Sequence, residues 1–178
     1  MTAPGSRRPY LLLLLAVVGL DQVTKWLVDR VMELHESRTL IEGLVSLTYV
    51  RNRGAAFGVF SDAQLPYQAM LFSLVSVAAL CGIAAYAWRL PAASRLPQTA
   101  LALIMGGALG NLLDRARLGH VVDFMDVFWN AHHWPAFNVA DSAITVGVFL
   151  LILDMVVSPE AGETVAAEVG GAPLARSE

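Results

Sequence analysis

Polar and apolar positions divide the chain into four long apolar runs, each with the length of a helix that crosses about 30 Å of hydrocarbon. The first covers residues 9–31; it opens on LLLLLAVVGL and takes in Asp21 and Lys25 in its second half. The second, 63–88, carries no charge and stops at Arg89. The third, 97–113, runs into the charged DRAR at 114–117, and the fourth covers 138–157. Between the first two runs, residues 32–62 are more polar. Within them LVSLTYV at 44–50 alternates, with β-branched and aromatic residues, as a strand does, after a turn-like Glu42-Gly43. The expected architecture is an all-α integral membrane protein: four transmembrane helices with a small outer-surface β-sheet. Residues 1–157 form its single domain. Residues 158–178, rich in Ala, Gly, Glu, Pro and Ser, hold too little apolar surface to fold and are expected as a disordered cytoplasmic tail.

Composition supports a membrane class. Of 178 residues, 56% are hydrophobic and 15% charged, where a soluble domain carries about 25% charged residues. Mean hydropathy is +0.58. A net charge of −3 without a Lys/Arg stripe removes nucleic acid as a partner. The single Cys81 lies in an apolar run, so neither an internal disulfide nor a cysteine-based metal site is available. Arg7 and Arg8 ahead of a leucine-rich run resemble a secretory signal. No A-x-A site follows VVGL, however, and apolar character resumes after Lys25 with WLV, which favours an uncleaved first span. Arg7, Arg8, Arg89 and Arg95 flank the spans at one end, and the positive-inside rule puts both termini and the loop between the second and third spans in the cytoplasm. Arg38, Arg51, Arg53, Arg115 and Arg117 then lie outside, against the rule unless some of them have work there.

Eight polar residues need a reason on this topology: Asp21, Lys25, Asn52, Asn111, Arg115, Asp123, Asn138 and Asp141. They gather at the outer ends of spans and in the outer loops, and polar groups at membrane depth are functional candidates. Asp21 and Lys25, four apart with the acid first, fit a helical ion pair that tethers the first span; a direct chemical role stays open. Asn138 and Asp141 fit an N-cap and an acid facing the positive end of a helix. Asp123, in the apolar LGHVVDFMDVFW at 118–129, brings a second carboxylate to the level where the fourth helix starts. Two carboxylates in one low-dielectric site cannot both ionise easily; they share a proton and titrate as a unit. The ionised member can take a proton from water as it attacks an amide carbonyl, while the protonated member donates to the carbonyl oxygen. Such hydrolysis requires neither a side-chain nucleophile nor a metal. No HExxH is present, and the adjacent His132 and His133 do not have ligand spacing. Ser142 stands beside Asp141 without a GxSxG elbow. The competing reading is a small proton-coupled transport or channel protein using Asp21, Asp123 and Asp141 as a relay, to which the second run would add only uncharged residues such as Gln64, Gln68 and Ser76.

Five blocks occur in order within residues 10–157: DQVTKWLV at 21–28, RNRGAAFGVF at 51–60, GGALGNLLDR at 106–115, GHVVDFMDV at 119–127 and FNVADSAI at 137–144. Together they resemble the bacterial lipoprotein signal peptidase (signal peptidase II) family. The resemblance implies an intramembrane aspartic endopeptidase of the bacterial inner membrane that removes signal peptides from diacylglyceryl-modified prolipoproteins, cutting just before the lipidated cysteine. It implies Asp123 of VVDF and Asp141 of NVAD as the catalytic dyad, and Asn52, Asn111, Arg115 and Asn138 as a polar shell that holds substrate backbone and orients the dyad. Gly54 and Ala55 would border the site, and Asp21 with Lys25 would support the outer layer. The implied partners are the prolipoprotein and membrane lipid. No cofactor and no metal is implied, and the enzyme is expected to act as a monomer with its active site near the periplasmic face. The sheet around LVSLTYV would cradle the substrate near its lipid. Met125 stands where the family pattern leads one to expect Ile, and Arg53 occupies a commonly small or polar position; neither is a motif carboxylate. Gly106, Gly107 and Gly110 fit either close approach of substrate backbone or tight helix packing.

Overall fold

A computed structural model describes residues 6–54 and 68–157. Its four helices are α1 (Arg8–Val31), α2 (Gln68–Arg89), α3 (Arg95–Leu118) and α4 (Val139–Val157), and each is long and apolar enough to cross a membrane. Four strands, β1 (Ser37–Ile41), β2 (Val45–Asn52), β3 (Val121–Trp129) and β4 (His132–His133), make an antiparallel sheet in that order. The expectations for Ala55, for the first part of the second apolar run and for the tail at 158–178 lie outside the described residues.

Helix α3 is the centre of the bundle and packs against α1, α2 and α4. Its small residues make this possible. A Cβ on Gly106 would sit 2.9 Å from Val17 Cβ of α1, and one on Gly107 would strike the Ala140 carbonyl of α4. Gly147 of α4 reciprocates, since its Cβ would lie 2.7 Å from the Ala100 carbonyl. In hydrocarbon, where helices gain nothing by hiding apolar surface from water, such close backbone approach is the main source of packing energy. The helix continues beyond the predicted stop at 113, because the DRAR segment stays helical until Gly119. That residue adopts the left-handed conformation (φ 74°), and its N–H bonds Arg115 O.

Helix α1 buries Val17, Asp21, Lys25 and Val28, one face at helical spacing. Leu12, Leu15 and Val23 on its other side are exposed, as are Leu71, Leu74 and Val75 of α2 and Phe149 of α4. So broad an apolar exterior is a lipid-facing surface.

Strand β2 lies where the alternation predicts it, with Gly43 in the preceding turn at φ 72°. The segment VVDFMDVFW, by contrast, has no strand-like alternation in the sequence, yet it is β3. Val121, Val122, Asp123 and Phe124 are all buried, so both faces of this strand are covered and successive residues need not alternate. Val28, Met32, Tyr49, Val122 and Phe124 form the core between sheet and α1, each such burial contributing about 1.5–3 kcal/mol. Phe137 then ties the last connection to β3. Its carbonyl accepts from the Phe124 and Met125 N–H groups at 3.0 and 2.8 Å, and its own N–H donates to Met125 O at 3.0 Å. This brings the start of α4 beside Asp123.

Candidate active site

Asp123 comes from β3 and Asp141 from the first turn of α4, and Asn138 stands between them. The Asn138 side chain caps α4 by accepting the Asp141 N–H at 3.0 Å, while the Asp141 carboxylate reaches back to the Asn138 N–H at 3.3 Å. This reciprocal cap satisfies two of the amides left free at a helix start. The same Asn138 side chain donates through Nδ2 to Asp123 Oδ1 at 2.7 Å. One residue thus both caps α4 and contacts the carboxylate of β3.

Neutral amides hold both carboxylates. Asn52, at the end of β2, donates to Asp123 Oδ2 at 2.9 Å, and Asn111 of α3 donates to Asp141 Oδ1 at 2.8 Å. Asp123 is 2% exposed. Burial and then the neighbouring Asp141 charge push its carboxyl up to about 7, against the opposing pull of the Asn52 and Asn138 amides and of Lys25. Asp141 opens instead onto a cleft of about 180 Å³ whose lining includes Asn52, Phe72, Ser76, Asn111, Arg115 and Ile144. Two other recesses, of about 620 and 250 Å³, surround Tyr10 and Trp88 near the N-terminal end of α1, and among the described residues no carboxylate lines them. Of these three recesses, the cleft beside Asp141 is the one that reaches a member of the carboxylate pair.

Behind the pair lies a cationic centre. Lys25 Nζ is 2.9 Å from Asp21 Oδ2 and 3.0 Å from Asp114 Oδ2, and it donates to Asn111 Oδ1 at 2.8 Å. Asp21 Oδ1 also accepts the Ala140 N–H at 2.9 Å, so a carboxylate of α1 meets the positive end of α4. Gly110 leaves room for this acid, since a Cβ there would come within 2.5 Å of Asp21 Oδ2. The sequence reading anticipates Asp21 and Lys25 as partners but misses Asp114 and Gln22, whose Nε2 donates to Asp114 Oδ1 at 2.9 Å. The available signal was spacing: Asp114 follows Asn111 by three residues and so shares its helix face.

Arg115 lines the cleft and donates to the Gly54 carbonyl at 3.1 Å, while the Gly54 N–H donates to Asn52 Oδ1 at 2.8 Å. The Arg115 Nε is buried with no hydrogen-bond partner among the described residues. Of the sequence-predicted site residues, Asp21, Lys25, Asn52, Gly54, Asn111, Arg115, Asp123, Asn138 and Asp141 fall in this one layer. Ala55 lies outside the described residues. Among those residues, no three His, Cys, Asp or Glu side chains converge as a metal site would require.

The family model described as signal peptidase (SPase) II matches residues 13–157. The sequence is 57% identical over 137 residues to the lipoprotein signal peptidase of Geobacter sulfurreducens, covering 77% of this chain and 84% of that protein. Two solved structures, both described as bacterial membrane enzymes studied by the in meso method, share the fold. One has a TM-score of 0.77 at 28% identity, covering 100% of this chain and 99% of the other. The second has a TM-score of 0.75 at 31% identity, covering 87% and 97%. Four apolar helices, a small antiparallel sheet and a sequence match across nearly all of the described residues lead to one conclusion: the chain is a multi-pass bacterial membrane protease and belongs to the signal peptidase II family.

Proposed function

We propose that this protease is an aspartic endopeptidase acting on diacylglyceryl-modified prolipoproteins, with Asp123 and Asp141 as its catalytic pair, and that it cuts just before the lipidated cysteine. The observation that carries this reading is the meeting of two carboxylates across Asn138, each held by neutral amides, one of them raised to about 7 and the other open to a cleft. One proton shared between them serves both halves of the reaction. The ionised carboxylate accepts a proton from water as the oxygen attacks the scissile carbonyl, and the protonated one donates to the developing oxyanion. As the tetrahedral intermediate collapses, the proton taken from water passes to the leaving amine.

Asn52, Gly54, Asn111, Arg115 and Asn138 are assigned to orientation and substrate holding. The unpartnered Arg115 Nε leaves a donor for a peptide carbonyl of the substrate. Ala55 is assigned to the border of the site by resemblance alone.

Both termini are assigned to the cytoplasm and the carboxylates to the outer side, with the sheet lying on the outer membrane surface. Arg7, Arg8, Arg89 and Arg95 collect at the opposite end of the bundle, where Arg7 donates to the Ala87, Trp88 and Leu90 carbonyls. Asp21 stands about 20 Å further along α1 at 1.5 Å per residue. Residues 1–157 are read as one domain and residues 158–178 as a cytoplasmic tail. A monomeric enzyme in contact with membrane lipid completes this reading. A relay function has less support: on the Arg7 side of the carboxylates the helix interface is closed by Gly106 against Val17, Gly107 against Ala140 and Gly147 against Ala100.

The test is release of the signal peptide from a diacylglyceryl-modified prolipoprotein, followed by mobility shift in detergent. Asp123→Asn and Asp141→Asn should each remain folded and lose about 10²- to 10⁴-fold in rate. Normal cleavage by either folded variant would remove that aspartate from the mechanism.

A further inference from the structure

Asp114 belongs to the charged DRAR segment, yet its side chain touches the supports of both carboxylates. It is 2% exposed. Its Oδ2 pairs with Lys25 Nζ at 3.0 Å and accepts the N–H of Val122, the residue before Asp123, at 3.2 Å. Its Oδ1 accepts from Gln22.

Lys25 has donors only, so the Asn111 atom facing it at 2.8 Å must be the carbonyl oxygen. The amide nitrogen of Asn111 is then the atom turned toward Asp141. The Asn111 oxygen also accepts from Asn138 Nδ2 at 3.3 Å, so were Lys25 to withdraw, only that longer bond would oppose a rotation that sets the oxygen against the Asp141 carboxylate, an arrangement of two acceptors.

We propose that Asp114 is a positioning residue for peptide-bond hydrolysis: it keeps Lys25 on Asn111, locking that amide with its N–H toward Asp141, and it fixes the strand beside Asp123 through Val122. This rests on the assignment of Asp123 and Asp141 as the reacting pair. A carboxylate nine residues before Asp123 in the chain thereby sets the approach of both. The charged and titratable groups around this centre are Asp21 and Lys25 of α1, Arg115 of α3, His120 before β3, Asp123 of β3 and Asp141 of α4.

The test uses the purified full-length protein in detergent with a diacylglyceryl-modified prolipoprotein, comparing wild type, Asp114→Asn, Lys25→Met and the double variant. Asn at 114 retains an acceptor for the Val122 N–H but not the charge that holds Lys25. The expected result is a kcat about 10- to 100-fold lower, with KM within about twofold of wild type. A second readout separates positioning from folding. Removing the Asp114 charge leaves Lys25 less compensated and favours the ionised pair, so the alkaline limb of the pH–rate profile moves to lower pH. Lys25→Met moves it to higher pH. If Lys25→Met alone does not fold, the double variant, neutral at both positions, keeps the limb near wild type while kcat stays low.

A wild-type kcat in Asp114→Asn, or a loss matching only its unfolded fraction with an unmoved pH limb, would overturn the proposal while Asp123→Asn and Asp141→Asn remain inert. Activity in either of those two variants would overturn the underlying pair assignment instead. Asp126→Asn, a carboxylate in neither group, serves as the unchanged control.

Discussion

Asp21 and Asp114 share a lysine, whereas Asp123 and Asp141, only a residue or two away in the hydrogen-bond network, accept only from amides among the described residues. In the first group the charge of Lys25 offsets the cost of burying two acids, and the result is a brace between α1, α3 and the start of α4. In the second, Asn52, Asn111 and Asn138 satisfy the carboxylate oxygens without cancelling charge. Burial of Asp123 beside another acid then favours a retained proton. On the proposed assignment, carboxylates in one layer are separated into structural and chemical roles by the kind of donor they meet, more than by depth.

Removing the cation should break that division most severely. Lys25→Met leaves two acids without their partner and should destabilise the fold by about 3–5 kcal/mol, measured by thermal unfolding in detergent; a change below about 1 kcal/mol would show that the acids are neutralised some other way. Next in size is Gly110→Ala, which drives a methyl group toward Asp21 Oδ2. The expected loss is about 1–3 kcal/mol, together with lowered activity, and a variant of unchanged stability and rate would mean that Asp21 can move without consequence.

The amide-held group should respond to pH. The Asp123 carboxyl is raised from its ordinary 3.8 to about 7, so between these values the folded protein binds more proton than the unfolded chain. Its contribution to stability is therefore largest below the lower value and declines as pH rises to the upper one. Unfolding temperatures should fall from pH 4 to pH 7 by more in wild type than in Asp123→Asn; equal slopes would refute the shift. The smallest effect is expected at Asp126, which contacts His133 Nδ1 at 2.9 Å across a partly exposed surface. Asp126→Asn should change stability by less than about 1 kcal/mol, and a larger loss in the same unfolding experiment would place that pair inside the cooperative core.

Much of this layout was legible because charge in an apolar run is conspicuous. Asp21, Lys25, Asp123 and Asp141 each stand among residues that otherwise read as membrane or core, and the four spans follow from length and apolarity. What escaped the sequence had particular causes. Strand β3 is covered on both faces, so its period is hidden. Strand β1 is exposed along its whole length and offers no apolar face to read. Asp114 sits with Arg115 and Arg117, where a carboxylate looks like part of a solvated helix end, and only the fold reveals that it turns inward to Lys25 and Val122. The antiparallel contact of Phe137 with Met125 depends on residues twelve apart meeting across a bend, which no local pattern encodes.

That contact also has a consequence for biogenesis. A membrane protein made from its N-terminus inserts α4 last, and Phe137 with its neighbours docks on β3 only when that helix enters. Until then Asp123 has no counterpart, Asn111 has no acid to meet, and the cleft lacks the wall that Ile144 supplies. On the proposed assignment, a nascent or partly inserted chain carries no proteolytic hazard to the membrane around it; competence arrives in one step, with the last helix.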